Sequence, residues 1–372
     1  MKAILLMLLS SQLFSTSKQT AEQCQPSTCL ISENCRCSGV NSPLPVEETP
    51  QLIALTFDEA VVDNLFNELW KPLLFDRKNP DGNPISASFF VPHEYTDYSH
   101  VQELYLQGYE IGVNSITKNS LAEYWAQASE QTLIDEFGGQ RTLLSHFANI
   151  PITDITGAQA PQLQIEGDVL IRAYIASGVK YDNSWTSRST AHLFPYTLDY
   201  LSSQECRSDT SCPQESYPGF WINPINNIRG ENLVECNALT NCNVHGTASE
   251  IASWLLQEVE RVRSTNRAPL TLLVPSAWFR FIENSFEGFQ QFLDSLTGYS
   301  DIFLVNQKQI IEWVQNPVPL SEFQTTTSQR TASCTKITCP LIKNNTETRY
   351  MTSCVVPCPD VYPWLGNPLG KM

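Results

Sequence analysis

Basic residues are scarce in this chain: 23 Lys and Arg stand against 39 Asp and Glu, for a net charge of −16. A protein this acidic is repelled by phosphate backbones and by anionic lipid surfaces, so nucleic acid is excluded as a natural partner. Solubility is the expected use of the surplus acid. Also missing is any apolar run of the ~20 residues needed to cross a bilayer, so no membrane span is expected. The run at 3–8, after Lys2, is far shorter and reads as the apolar part of a secretory signal, with residues 1–20 expected to be removed. Neither an internal repeat nor a low-complexity tract occurs, and with only 17% charged and 10% aromatic residues the composition is that of a packed core. Matched Cys-x-x-Cys pairs are absent too, which argues against a thiolate zinc site.

Cysteine itself is plentiful. Twelve cysteines form three groups of four: Cys24, Cys29, Cys35 and Cys37; Cys206, Cys212, Cys236 and Cys242; Cys334, Cys339, Cys354 and Cys358. An even count behind a secretory signal reads as disulfides in a secreted, extracellular protein. Pairing is not readable from spacing. Because the outer groups flank the chain, at least one bridge from the N-terminal segment to the C-terminal tail is expected. Asn344-Asn345-Thr346 is a glycosylation sequon in a polar stretch, expected to be exposed.

Between the cysteine-rich ends, strand and helix patterns alternate. Strands are expected at 52–57, 86–91, 110–113, 179–181, 270–274 and 302–305. Helices are expected at 64–70, over 121–147 on both sides of a Gly138-Gly139 break, and at 168–176, 250–263, 286–296 and 307–315. That order implies an α/β fold built on a parallel sheet, open or closed into a barrel. The organisation expected is a Cys-rich segment at 21–45, a main domain at 46–316 and a Cys-rich tail at 317–372. Within the main domain, 202–246 lacks periodicity and reads as a disulfide-stapled insertion.

Polar residues sit just past the expected strands: Asp58 and Glu59, Asn114, Gln159, Asp182, and the Val274-Pro275-Ser276 corner. In parallel α/β folds the strand ends are where sites collect. Singly, each is a turn or cap residue. Taken in order, Thr56-Phe57-Asp58-Glu59, Asn114-Ser115-Ile116-Thr117-Lys118, Gln159-Ala160-Pro161, Asp182-Asn183-Ser184-Trp185 and Leu273-Val274-Pro275-Ser276-Ala277-Trp278-Phe279 resemble the five motifs of the polysaccharide deacetylases. With the cysteine frame, Cys35-Arg36-Cys37 and the ending Tyr362-Pro363-Trp364-Leu365-Gly366-Asn367-Pro368, the chain is similar to insect chitin deacetylases, most of all the short gut group without a chitin-binding module.

The resemblance implies a distorted (β/α) barrel that hydrolyses the N-acetyl groups of chitin with zinc or a similar divalent ion. Such a metal polarises the amide and acidifies the attacking water, while a base and an acid move protons. Carried over position by position, Asp58 is the base and Glu59 stands for a metal-binding Asp. Asn114 and Lys118 stand where the two metal-binding His belong, and an ammonium has no lone pair to give. Gln159 replaces an Arg, Pro275 replaces the acid His, and Asp182 remains. None of the five His (His93, His100, His146, His192 and His245) matches a ligand position. His93, just past a strand, comes nearest, with a surface or capping role expected. Bound metal is therefore not expected. What the sequence implies is a catalytically silent chitin deacetylase-like protein that binds chitin or chitin oligosaccharides, and possible matrix proteins, in a peritrophic matrix. Trp185 and Trp278 are the expected stacking platforms for sugar. A residual hydrolase using Asp58 and Glu59, and a protein-recognition scaffold, are the alternatives. The final expectation is that the Lys118 ammonium stands in for the metal beside Asp58 and Glu59.

Overall fold

The computed structural model describes residues 20–206, 210–326, 330–344 and 346–372. The expected secretory signal thus lies outside the described residues, save Thr20.

Nine strands make one mainly parallel sheet: β1 (Gln51–Phe57), β2 (Ser88–Val91), β3 (Glu110–Val113), β4 (Gly157–Ala158), β5 (Tyr181–Asp182), β6 (Tyr196–Leu198), β7 (Tyr217–Ile222), β8 (Leu270–Leu273) and β9 (Ile302–Val305). All seven residues of β1 are buried, which explains why Leu52, Ile53, Ala54 and Leu55 run apolar in succession rather than alternating with polar residues. Its first half pairs with β9 and its second half with β8, and its last two residues meet β2. From β2 the parallel ladder runs through β3, β4 and β5 to β7, where β6 joins antiparallel. Helices between the strands bury their apolar stripes on the sheet. Ala248–Arg263 and Gln307–Gln315 both open with capping boxes, Thr247 with Glu250 and Asn306 with Gln309. The architecture is the expected α/β class. Among the described residues the hydrogen-bonded ladder ends at β8 on one side and β6 on the other, and Asn226 ties across the gap by donating from Nδ2 to Leu193 O (2.9 Å) and Pro269 O (2.7 Å).

Three expectations are corrected. Gly138-Gly139 does not break a helix. The chain stays helical through Ile134–Gly138 into Gly139–Phe147, because both glycines have ordinary helical angles and serve close packing. A Cβ on Gly138 would lie 2.9 Å from the Ser177 hydroxyl, and one on Gly139 2.8 Å from Ile116 Cδ1. The stretch 202–246 is stapled by Cys206–Cys212 and Cys236–Cys242, but it also supplies β7 to the main sheet and so is more than an insertion.

The third correction concerns connectivity. All six disulfides are local: the remaining pairs are Cys24–Cys37, Cys29–Cys35, Cys334–Cys354 and Cys339–Cys358. No bridge joins the two ends. They dock on different parts of the domain instead. The N-terminal segment reaches the β6–β7 side, where Thr197 N donates to Arg36 O and Trp221 Nε1 donates to Asn34 Oδ1. The tail forms the antiparallel hairpin Ile337–Lys343 and Glu347–Ser353 and docks beside the helix Gly139–Phe147, where Cys354 N donates to Phe147 O.

Candidate functional site

Asp58 and Glu59 leave the sheet at the end of β1, Asn114 follows β3, Gln159 follows β4, Asp182 ends β5, and Pro275 lies just past β8. The parallel register brings these ends to one edge of the sheet, so the sequence candidates converge as expected.

The loop after β3 is tightly held. Glu136 is fully buried and accepts from Ile116 N (2.9 Å), Thr117 N (2.9 Å), Thr117 Oγ1 (2.6 Å) and Tyr124 Oη (2.8 Å). Lys118 N donates to Ser115 Oγ at 3.0 Å, and Lys118 itself adopts φ +43°, a left-handed conformation that costs a residue with a Cβ roughly 1–2 kcal/mol. The strained backbone sends the side chain to β1. Its ammonium lies 3.4 Å from Asp58 Oδ2 and also donates to Asp58 O.

Glu59 turns the other way. Its Oε2 accepts from Ser276 N (2.9 Å) and its Oε1 from Ser276 Oγ (2.8 Å). Burial raises the Glu59 carboxyl above its ordinary range. The Ser276 bonds pull it back down, Asp58 adds a push upward, and Lys118 a pull downward. Lys118 therefore meets one carboxylate, Asp58, and does not bridge both.

The remaining positions are spent on one another. Asn114 is fully buried, donates from Nδ2 to Gln159 O (3.1 Å), and accepts at Oδ1 from Ser115 Oγ (3.3 Å). Gln159 Nε2 donates to Asn183 O (3.0 Å) and Oδ1 (3.1 Å), while its buried Oε1 has no partner among the described residues. Asp182 accepts from Ser184 N (2.8 Å) and Ser184 Oγ (2.6 Å). Complete burial lifts its carboxyl to about 7 against those bonds. Pro275 precedes the short helix Ser276–Phe281 and offers no group that titrates.

The donor set does not fit a divalent cation. The Asp58 carboxylate faces an ammonium, both Glu59 oxygens are taken by Ser276, and the Asn114 amide is engaged at both ends. Among the described residues, three His, Cys, Asp or Glu ligand atoms come within 4.8 Å of one another only at Cys24, Cys29 and Cys37, whose sulfurs are in disulfides.

Two expected platforms are corrected. Trp185 and Trp278 are 1% and 0% exposed, so both indoles are core side chains with no ring face free for a sugar. His93 is not a surface residue: it follows β2, where its backbone N donates to Ser115 O (3.0 Å) in the loop that carries Asn114 and Lys118. It is buried, its Nδ1 meets Tyr98 Oη at 2.7 Å and its Nε2 donates to Pro363 O at 3.0 Å, which latches the tail to the domain. Ser276 was singled out only as part of the Val274-Pro275-Ser276 corner, without its role as partner for the longer Glu59 carboxylate, and Glu136 was missed. Glu136 lies within a helix, with no local signal.

Comparison with known proteins decides the family. The chain is 34% identical to chitin deacetylase 8 of Bombyx mori over 378 residues, covering 98% of each. It belongs to the chitin deacetylase family. It is also 31% identical to chitin deacetylase 1 of the same species over 375 residues, covering 94% of this chain and 69% of that protein. No family profile matches the chain. Among solved structures, a CE4 esterase of Streptococcus mutans overlaps 70% of this family member and 88% of its own chain, at 13% identity and a TM-score of 0.42.

Proposed function

We propose that this chain is a secreted chitin deacetylase-like protein without deacetylase activity, which binds or organises chitin in an extracellular matrix such as the peritrophic matrix. The observation that carries the reading is the Lys118 ammonium on Asp58, at the position where the family motif has a metal-binding His. With the base position paired to a cation, the carboxylate beside it closed on Ser276 and a proline at the acid position, none of these three positions is free to activate water or to protonate a leaving amine. The loss of chemistry does not remove the fold around it, and similarity along the whole chain to a chitin-active relative supports a polysaccharide ligand. Local disulfides and the absence, among the described residues, of a helix able to cross a membrane support an extracellular setting. The exposed Asn344 at the tip of the tail hairpin supports glycosylation there, although its neighbour Asn345 lies outside the described residues.

Acetate release from chitin oligosaccharides, with zinc or cobalt added, tests the central claim. Release no faster than the blank is expected, and turnover comparable to that of chitin deacetylase 8 under the same conditions overturns it. Retention on chitin beads, with albumin as control, separates a chitin binder from a protein-recognition scaffold.

A further inference from the structure

The two strands of the tail hairpin, Ile337–Lys343 and Glu347–Ser353, divide their side chains sharply. Cys339, Leu341 and Met351 point inward and are 1%, 4% and 2% exposed. The opposite face is built from three cross-strand pairs: Thr338 with Thr352, Pro340 with Tyr350, and Ile342 with Thr348. Directly opposed residues share a face, so these six form one strip, about 14 Å long at the rise of a strand. Tyr350 is 73% exposed and Ile342 46%.

Charge sets this strip apart. The protein carries a net −16, yet none of the six residues bears a charge at neutral pH. The hairpin's own charges are paired: Lys343 and Arg349 both meet Glu94 at 2.9 Å, and the half-exposed Glu347 at the hairpin end pairs with Arg349 at 2.9 Å. The strip is also rigid. Cys334–Cys354 and Cys339–Cys358 bracket it, and Thr338 and Thr352 join their hydroxyls at 2.9 Å. An exposed aromatic ring, an aliphatic side chain and a row of threonine hydroxyls, with no charge, match a flat neutral polymer whose surface alternates apolar sugar faces with hydroxyl and amide groups.

We propose that the outer face of the tail hairpin is a contact surface for insoluble chitin, separate from the Asp58 edge of the sheet. This rests on the reading that chitin is the ligand. The strip holds the protein to the polymer by ring stacking on Tyr350 and hydroxyl contacts from the threonines. Association through it is insensitive to ionic strength, because no ion pair forms.

The test compares wild type with Tyr350→Ala, Ile342→Glu and Tyr350→Phe, all at exposed positions. Each is measured for depletion onto crystalline chitin powder at low and high salt, for calorimetric binding of soluble chitin hexamer, and for melting temperature. The expected result is a loss of about tenfold in partition onto the powder for the first two variants, near wild-type partition for Tyr350→Phe, and unchanged hexamer binding. Powder binding equal to wild type in Tyr350→Ala and Ile342→Glu overturns the proposal and leaves the chitin reading intact. Loss of hexamer and powder binding together, at wild-type melting temperature, overturns the separateness of the surface. Wild type that binds neither powder nor hexamer removes the chitin reading itself, and this surface with it.

Discussion

In the proposed reading, Lys118 changes the chemistry at the Asp58 edge by one substitution of type. An imidazole lends a lone pair to a cation, whereas an ammonium is the cation, with donors but no lone pair. Its contact with Asp58 is partly exposed, so the pair contributes modestly. Replacing Lys118 by Met leaves Asp58 next to Glu59 without a positive neighbour, and a loss of about 1 kcal/mol is expected, read as a fall of a few degrees in Tm. An unchanged Tm would mean that the ammonium is a passenger. Metal binding should return only to the combined variant Glu59→Asp, Asn114→His, Lys118→His, since zinc needs about three protein ligands at once. Elemental analysis checks this: a metal-free triple variant, or metal held by any of the three single variants, contradicts the assignment of the motif. Much of this edge was legible in the residues themselves, because Asp58, Glu59, Asn114, Gln159 and Asp182 all follow strand ends. Direction was not legible. Nothing in the spelling of Glu59-Ala60 says that the longer carboxylate swings to Ser276, and nothing in Trp185 or Trp278 tells a core indole from a platform, since both want an apolar neighbour.

At the scale of elements, β3 after its Gly108 turn, the continuous apolar run of β9 and the helix Gln307–Gln315 were read at their true bounds, because a turn glycine, burial on both faces and a capping box each leave a local mark. Gly138-Gly139 misled for a physical reason: glycine signals either a break or a close approach, and here Ser177 and Ile116 need the room. β7 was missed because Tyr217-Pro218-Gly219 looks like a turn, although Phe220-Trp221-Ile222 completes a strand. The latch between domain and tail is likewise a matter of tertiary contact. Burial first, and then the nearby Lys343, push the His93 imidazole down to about 3, against the Pro363 bond that favours its charged form. An unfolded histidine protonates near 6.5, so between those values the unfolded chain holds the extra proton. Stability from His93 is complete above 6.5 and falls by at most about 1.4 kcal/mol per pH unit as the solution is acidified towards 3. Urea midpoints at pH 7 and pH 4.5 should therefore differ less in His93→Gln than in wild type. Equal slopes would show that another group governs the acid limb.

For the whole molecule, six local disulfides and a mainly parallel sheet give a body whose two ends are independent covalent units. Each bridge closes a loop of 6 to 20 residues, so each acts on its own segment and none spans the domain. The acid-rich surface surrounds a strand-end edge where one positive charge is part of the chain itself. A cation that is covalently attached cannot be stripped away, diluted out or exchanged for a competing ion. Prolonged incubation with a strong chelator should leave the Tm of this protein within error, where proteins that fold around their metal lose it and unfold. A shift of several degrees would reveal a bound ion elsewhere. In the reading proposed above, the exchange of ligand for ammonium does more than end a reaction: it frees the architecture from dependence on the supply of trace elements in its surroundings.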